Sequence, residues 1–356
     1  MAKRMPDAED AAAGELSRAL IAGVEDAAAT LESGRHRDDV AIHEFRKAMK
    51  RHRALLRLTE PLRGEAAKAE RREAGALARR LSGARDLTAA REGLDDLIDK
   101  KLIRPDLAAP VREALEAARR ASEAASLDTT VRADVLAFLG RARAAAARIA
   151  EADLPLRALI AGLARGFRRM VHAAPQDWSA ASADSLHELR KAAVIHRYQI
   201  ELALPLWPRP IEVWIDEVQR LRDRLGQGQD LEALSHFLAG APRLLDAGRH
   251  ARLMAAIRTR QGQHVAAAEQ QMARLAAERP HAFAERLLAY AGAHRLTAPR
   301  PHTPAPAPAG PAADTPGHTP ADTAPRKPRR RGAAKRTPGA KDQSRQTNGS
   351  AGDSSP

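Results

Sequence analysis

Displaced by 144 residues, the chain lies over itself without a gap. His43 falls on His187, Glu44 on Glu188, Arg46 on Arg190 and Lys47 on Lys191. The register then holds for His52 on His196, Arg53 on Arg197, Pro61 on Pro205, Leu81 on Leu225, Asp86 on Asp230 and Leu87 on Leu231. Over positions 43 to 90, 17 of 48 residues are identical, against about 5 expected by chance in so Ala- and Arg-rich a sequence. Upstream, RALIAG at Arg18–Gly23 returns at Arg157–Gly162, a displacement of 139 that one five-residue insertion explains. So long a period points to a duplicated bundle, with units near 8–150 and 153–293, rather than to a solenoid of short repeats.

Ala, Leu, Arg and Glu dominate residues 8 to 293, and no β-branched run alternates with period two. Both features predict an all-α chain of two pseudo-symmetric helical bundles. Helices are predicted at 8–32, 40–59, 66–82, 86–102, 107–125 and 129–150 in the first half. The second half is predicted to hold 155–173, 184–203, 211–226, 230–239, 243–259, 262–279 and 281–293. The breaks are signalled by Ser33-Gly34, Glu60-Pro61, Ser82-Gly83, Arg104-Pro105, Leu204-Pro205 and the Gly226/Gly228 pair. Beyond the helical core, 1–295, residues 296–356 are rich in Pro, Ala and Thr, and too poor in bulky apolar side chains to offset the entropy of folding. They read as a disordered basic tail.

Charge limits the partners. The chain carries 59 Lys+Arg and 45 Asp+Glu, a net +14. The tail holds ten Lys+Arg and four Asp+Glu, +6, which leaves 14 − 6 = +8 on the core. An anionic partner is implied: a polyanion, a nucleic acid or a membrane surface. Aromatic residues are only 3% of the chain, which disfavours base stacking along an aromatic platform. Cysteine is absent, which excludes disulfides and thiolate chemistry. No 18-residue apolar run offers a membrane span, and the acidic N-terminus lacks a signal-peptide core. A cytoplasmic protein is the expectation.

The repeated stretch His43–Arg57, HEFRKAMKRHRALLR, has two faces when wound as a helix. His43, Arg46, Lys47, Lys50, Arg53 and Arg57 fall within an arc of about 120°, and Phe45, Met49, Leu55 and Leu56 lie opposite them. Like charges so spaced repel, so a helix of this kind calls for an anion. Arg matches phosphate oxygens with a planar fork, Lys adds a point charge, and His adds a donor whose charge appears near neutral pH. Protonation of His43 and His187 would then tighten binding towards pH 6. His52 and His196 sit among apolar neighbours and read as core histidines.

Other chemistries fail on their spacing. H-E-x-R-K places Lys47 and Lys191 where the zinc motif H-E-x-x-H needs a second imidazole. No GxGxxG opening a helix after a strand, phosphate loop or G-x-S-x-G elbow is present, and no metal-holding carboxylate cluster or nucleophile–base pair is evident. No cofactor is expected. Asp86 and Asp230 follow apparent helix ends and read either as N-caps of the next helix or as carboxylates orienting Arg80 and Arg224.

HEFRKAMKRHRALLR with RLSGARDL, and SLHELRKAAVIHRYQIEL with RLGQGQDLEAL, resemble the CHAD family, the conserved histidine α-helical domain. The resemblance covers roughly residues 8 to 293. It implies two four-helix bundles with a basic surface and central pore that bind inorganic polyphosphate, and association with polyphosphate granules. His43, Arg46, Lys50, Arg53 and Arg85 match the family motif in the first unit, and His187, Arg190 and Arg197 in the second. Val194, Ile195 and Gln229 depart from it, standing where the first unit has Lys50, Arg51 and Arg85. The expected polyphosphate-binding set is therefore His43, Arg46, Lys47, Lys50, Arg53, Arg57, Arg85, His187, Arg190, Lys191, Arg197 and Arg224, with the second wall less cationic. The expected function is non-enzymatic binding of inorganic polyphosphate. The alternative is a nucleic-acid-binding or nucleoid-associated protein that uses the tail segment KPRRRGAAKR.

Overall fold

A computed structural model describes residues 10–32, 38–81, 85–122, 129–152 and 154–297. The chain divides into units 1–300 and 301–356. From residue 298 the predicted tail lies outside the described residues, as do the Ser33-Gly34 and Ser82-Gly83 breaks, while its first two residues close the last helix. All regular structure among the described residues is helical: α1 (Asp10–Glu32), α2 (Asp38–Arg63), α3 (Glu65–Arg80), α4 (Arg85–Asp99), α5 (Pro105–Ser122), α6 (Thr129–Ala147), α7 (Leu156–His172), α8 (Ala183–Ile200), α9 (Pro208–Gly240), α10 (Ala247–Ala276) and α11 (Pro280–Thr297). Short 3-10 turns at Arg148–Glu151 and Glu201–Ala203 extend α6 and α8.

Most buried apolar side chains among the described residues fall into three core clusters. On α1 the buried positions Leu16, Leu20, Val24, Ala27 and Leu31 recur at three and four residues, an apolar stripe along the whole helix. Its C-terminal half joins Phe45 and Met49 of α2, Ala74 and Leu77 of α3, and Val135 and Phe138 of α6. Its N-terminal half joins a larger cluster with Phe167 of α7, Ile200 of α8, Leu221 of α9, Met272 of α10 and Phe283 of α11. A third cluster is built by Leu94 and Leu97 of α4, Val111 and Leu115 of α5, Leu231 and Leu238 of α9, and Leu253 and Ile257 of α10.

Three predicted breaks are overridden. Helices at 211–226 and 230–239 are one helix, α9, running through Gly226 and Gly228. Two interior glycines cost a helix about 1 kcal/mol each, but α4, α8 and α10 all pack on α9, and tertiary packing dominates helix stability. Asp230 therefore lies inside a helix and is no N-cap. Likewise 243–259 and 262–279 form the single helix α10, whose Gly262 faces open space. Asp246 starts it, accepting a hydrogen bond from the Arg249 backbone N–H at 2.8 Å. Finally, α2 passes through Pro61 and ends at Gly64, whose φ of 52° is the left-handed value glycine tolerates and whose N–H bonds the Glu60 carbonyl at 2.9 Å.

Candidate anion-binding site

On α2 the repeated motif lies along the helix surface. His43, Lys47 and Lys50 are exposed, and Arg46, Arg53 and Arg57 are half-buried. Arg46 donates from Nη1 to the Leu81 carbonyl at 3.2 Å, which ties α2 to the end of α3. Lys47 pairs with Glu44 one turn earlier at 3.2 Å. Arg53 lies against Gly75 of α3, where an added Cβ would stand 3.3 Å from its Cζ, and its buried Nε has no hydrogen-bond partner. Arg85 opens α4, but its side chain lies outside the described residues.

A knot of like charge surrounds Arg53 and Arg57. Burial, then Arg79 and Arg71, lower the pKa of Arg53. Burial, then Arg71 and Arg169, lower that of Arg57 to about 10, with Glu60 acting in the opposite sense and Arg53 adding to the depression. Five arginines from α2, α3 and α7 thus share one region. The carboxylate acting on it, Glu60, is held by Arg71. Burial is the larger cause of both depressions and the neighbouring arginines add to it; an incoming anion opposes both. Arg71, Arg79 and Arg169 escaped the sequence analysis because none belongs to the repeated motif. The only prior signal was the high Arg content of α3.

The later motif, His187–Lys191, is arranged differently. His187 and Lys191 are exposed on α8, and Lys191 pairs with Glu188 at 2.5 Å. Gln229 of α9 bridges the motif: its Oε1 accepts from Arg190 Nη1, and its Nε2 lies 2.8 Å from His187 Nδ1. The glutamine that replaces a cation thus holds the histidine and arginine together. Arg190 lies on Gly226, where a Cβ would stand 3.2 Å from its Nη2. Arg197 donates to Glu201 at 3.1 Å, and Arg51 of α2 reaches the same carboxylate at 3.3 Å. Burial raises the Glu201 pKa, and the two arginines oppose that rise. Arg224 is exposed on α9. The partner of Arg80 is Asp134 of α6 at 2.9 Å, not Asp86.

The inner histidines sit in the core. His52 is 2% exposed and His196 is fully buried. A further buried network went unseen in the sequence: Asp96 of α4 receives Arg260 of α10 at 2.7 and 2.9 Å, with His264 at 3.3 Å. Burial pushes the Asp96 carboxyl up, but the hydrogen bonds from Arg260 and His264 outweigh it and hold its pKa below the usual range. Among the described residues no group of three His, Cys, Asp or Glu could hold a metal ion. None of the described helices is long and apolar enough to cross a membrane.

Both His-Glu-x-Arg-Lys motifs, and all of α2 through α8, fall inside residues 18–239, the span matched by the model of the CHAD domain. The chain belongs to the CHAD domain family. The match ends one residue before the end of α9, so α10 and α11 lie beyond the recognised CHAD segment. Among solved structures, PptA from Streptomyces chartreusis is similar in fold, with a TM-score of 0.54 and 16% identity over 75% of this chain and 99% of that one. The CHAD domain from the plant Ricinus communis aligns with a TM-score of 0.45 and 19% identity over 78% of this chain and 92% of that one. No curated protein matches the chain in sequence.

Proposed function

We propose that this CHAD protein binds inorganic polyphosphate, without turning it over, along a basic surface whose stronger wall is the α2–α3 face. The observation that carries the proposal is the crowding of Arg53 and Arg57 by Arg71, Arg79 and Arg169, with the buried Nε of Arg53 lacking an acceptor. Guanidinium groups act as charge and donor; they neither bind metal nor serve as a base at neutral pH. His43, Arg46, Lys47 and Lys50 extend the wall towards the start of α2, and Arg85, the first residue of α4, is included by its match to the family motif alone. His187 and Arg190, joined by Gln229, with Lys191 and Arg224, supply a weaker second wall. Arg197 contributes through Glu201, a carboxylate it shares with Arg51 of α2, more than through free charge.

A linear polyanion bound this way exchanges its counterions for fixed cations, so affinity falls steeply with salt and rises with chain length until the groove is filled. Duplication of an ancestral helical unit explains why the two walls share the His-x-x-Arg-Lys start and yet differ in strength. Such a protein is expected in the cytoplasm at polyphosphate granules. The test is competition between long-chain polyphosphate and duplex DNA at matched charge and salt, on the full chain and on a chain ending at Thr297. Preference for polyphosphate in both forms supports the groove. Equal affinity for the two polymers, or loss of all binding with the tail, refutes it and favours nucleic-acid binding through Lys327–Arg336.

A further inference from the structure

At the 144-residue displacement the second half loses most of the cations of the first. Lys50, Arg51, Arg57, Arg71 and Arg85 correspond to Val194, Ile195, Glu201, Ile215 and Gln229. Arg80 keeps its charge as Arg224, and further positive charge stands beside it at Arg220 of α9 and Arg274 of α10. A cavity of about 400 Å³ opens between α9 and α10, lined by Arg220, Arg224, Gln227, Gln270, Gln271 and Arg274, with Asp223 and Ala267 completing it. Its volume is within the range of small-ligand sites.

The lining is suited to oxyanions. The side chains of Arg224 and Arg274 are exposed and make no hydrogen bond or ion pair among the described residues, while Arg220 pairs with Glu217 at 2.5 Å. The one acidic residue, Asp223, is occupied by Arg222 and Gln219, each at 2.8 Å. Gln227, Gln270 and Gln271 add side-chain amides to the same lining. No aromatic side chain lines the cavity, which leaves a nucleobase nothing to stack on. Arg224 also lines a neighbouring cavity of about 220 Å³ together with Gln229 and His264. Gln229 in turn touches His187 and Arg190. Arg224 is thus the link between the repeated motif and the α9–α10 cavity.

We propose that Arg220, Arg224 and Arg274 form a relocated second phosphate wall, so that a polyphosphate chain leaving His187 and Arg190 passes Arg224 into the cavity between α9 and α10. This rests on the polyphosphate reading above and adds a site with residues outside the repeated motif. It predicts that Arg220→Gln/Arg274→Gln weakens binding of long-chain polyphosphate about tenfold and lowers the salt slope by about one for each phosphate that is no longer neutralised. The control Arg243→Gln/Arg258→Gln removes equal charge away from the cavity and changes affinity less than about twofold, the small effect expected of screened charges remote from the ligand. Thermal melts show whether each variant folds. Independently, adding tripolyphosphate to the unaltered protein shifts the side-chain N–H resonances of Arg224 and Arg274. If the cavity variant binds like the control and those resonances stay still, the second wall is elsewhere and polyphosphate binding stands. If the unaltered protein binds no polyphosphate, both proposals fall together.

Discussion

Trp214 Nε1 donates a 3.0 Å hydrogen bond to His196 Nε2, and Trp214 stands 144 residues after Glu70, whose Oε1 lies 2.8 Å from Nε2 of His52. Two histidines 144 residues apart in sequence thus meet a donor in one case and a carboxylate in the other. An indole only donates, so His196 must accept at Nε2 and carry its proton on Nδ1. Its ring packs against Phe167 and Phe283 as well as Trp214. Burial lowers its pKa to about 3. The inner histidines hold the core, and they do so by different chemistry.

His196 is therefore predicted to remain the neutral Nδ1–H tautomer at pH 5, which ¹⁵N NMR of the imidazole reads directly. The unfolded chain binds this proton near pH 6.5 and the folded one does not. The contribution of His196 to stability is complete above that value and declines as pH falls towards 3, with a slope approaching about 1.4 kcal/mol per pH unit. Trp214→Phe removes the indole donor to Nε2 and is expected to cost about 1–3 kcal/mol in urea unfolding at pH 7.

Glu70 holds His52 and Arg63 together, the latter at 2.6 Å. Burial pushes the Glu70 carboxyl up, but hydrogen bonds and charge from His52 and Arg63 outweigh it and keep its pKa below the ordinary 4.5. Glu70→Ala leaves two partners unsatisfied in a largely buried place, at a cost of about 3 kcal/mol. Because the folded pKa is depressed, Glu70's contribution is present above pH 4.5 and is lost as pH falls through the folded value. The difference between unaltered and variant proteins in denaturant midpoint narrows accordingly in acid.

Gly93 sets the approach of α4 to α9. A Cβ there would stand 2.7 Å from the Asp230 carbonyl oxygen, a backbone atom that cannot rotate away. Gly93→Ala forces the helices apart and loosens the cluster of Leu94, Leu97, Leu231 and Leu234. The expected loss is about 1–3 kcal/mol. Gly262→Ala, where nothing lies within 4 Å, is the matched control and should stabilise α10 by roughly 0.5–1 kcal/mol.

Helical periodicity and composition were enough to foresee the all-α fold and the burial of His52 and His196, because those follow from local spacing. The continuity of α9 was not foreseen: Gly226-Gln227-Gly228 is a sound local stop signal that packing from three helices overrules. The Arg260–Asp96 pair joins residues 164 apart in sequence, and the arginine cluster joins α2, α3 and α7. Such meetings are set by tertiary packing and leave no periodic trace. Gln229 was legible as a lost cation, but its bridging of His187 and Arg190 required coordinates.

The decisive measurement pairs stability with affinity for Arg53→Gln/Arg57→Gln. If these arginines are crowded in order to meet polyphosphate, removing them relieves repulsion in the empty protein. The variant should melt at or above the temperature of the unaltered protein, while its affinity for long-chain polyphosphate at about 0.15 M salt drops at least about tenfold, with a shallower salt slope. A variant that binds polyphosphate as tightly as the unaltered protein, with the same salt dependence, contradicts the assignment of the α2–α3 face as the principal wall.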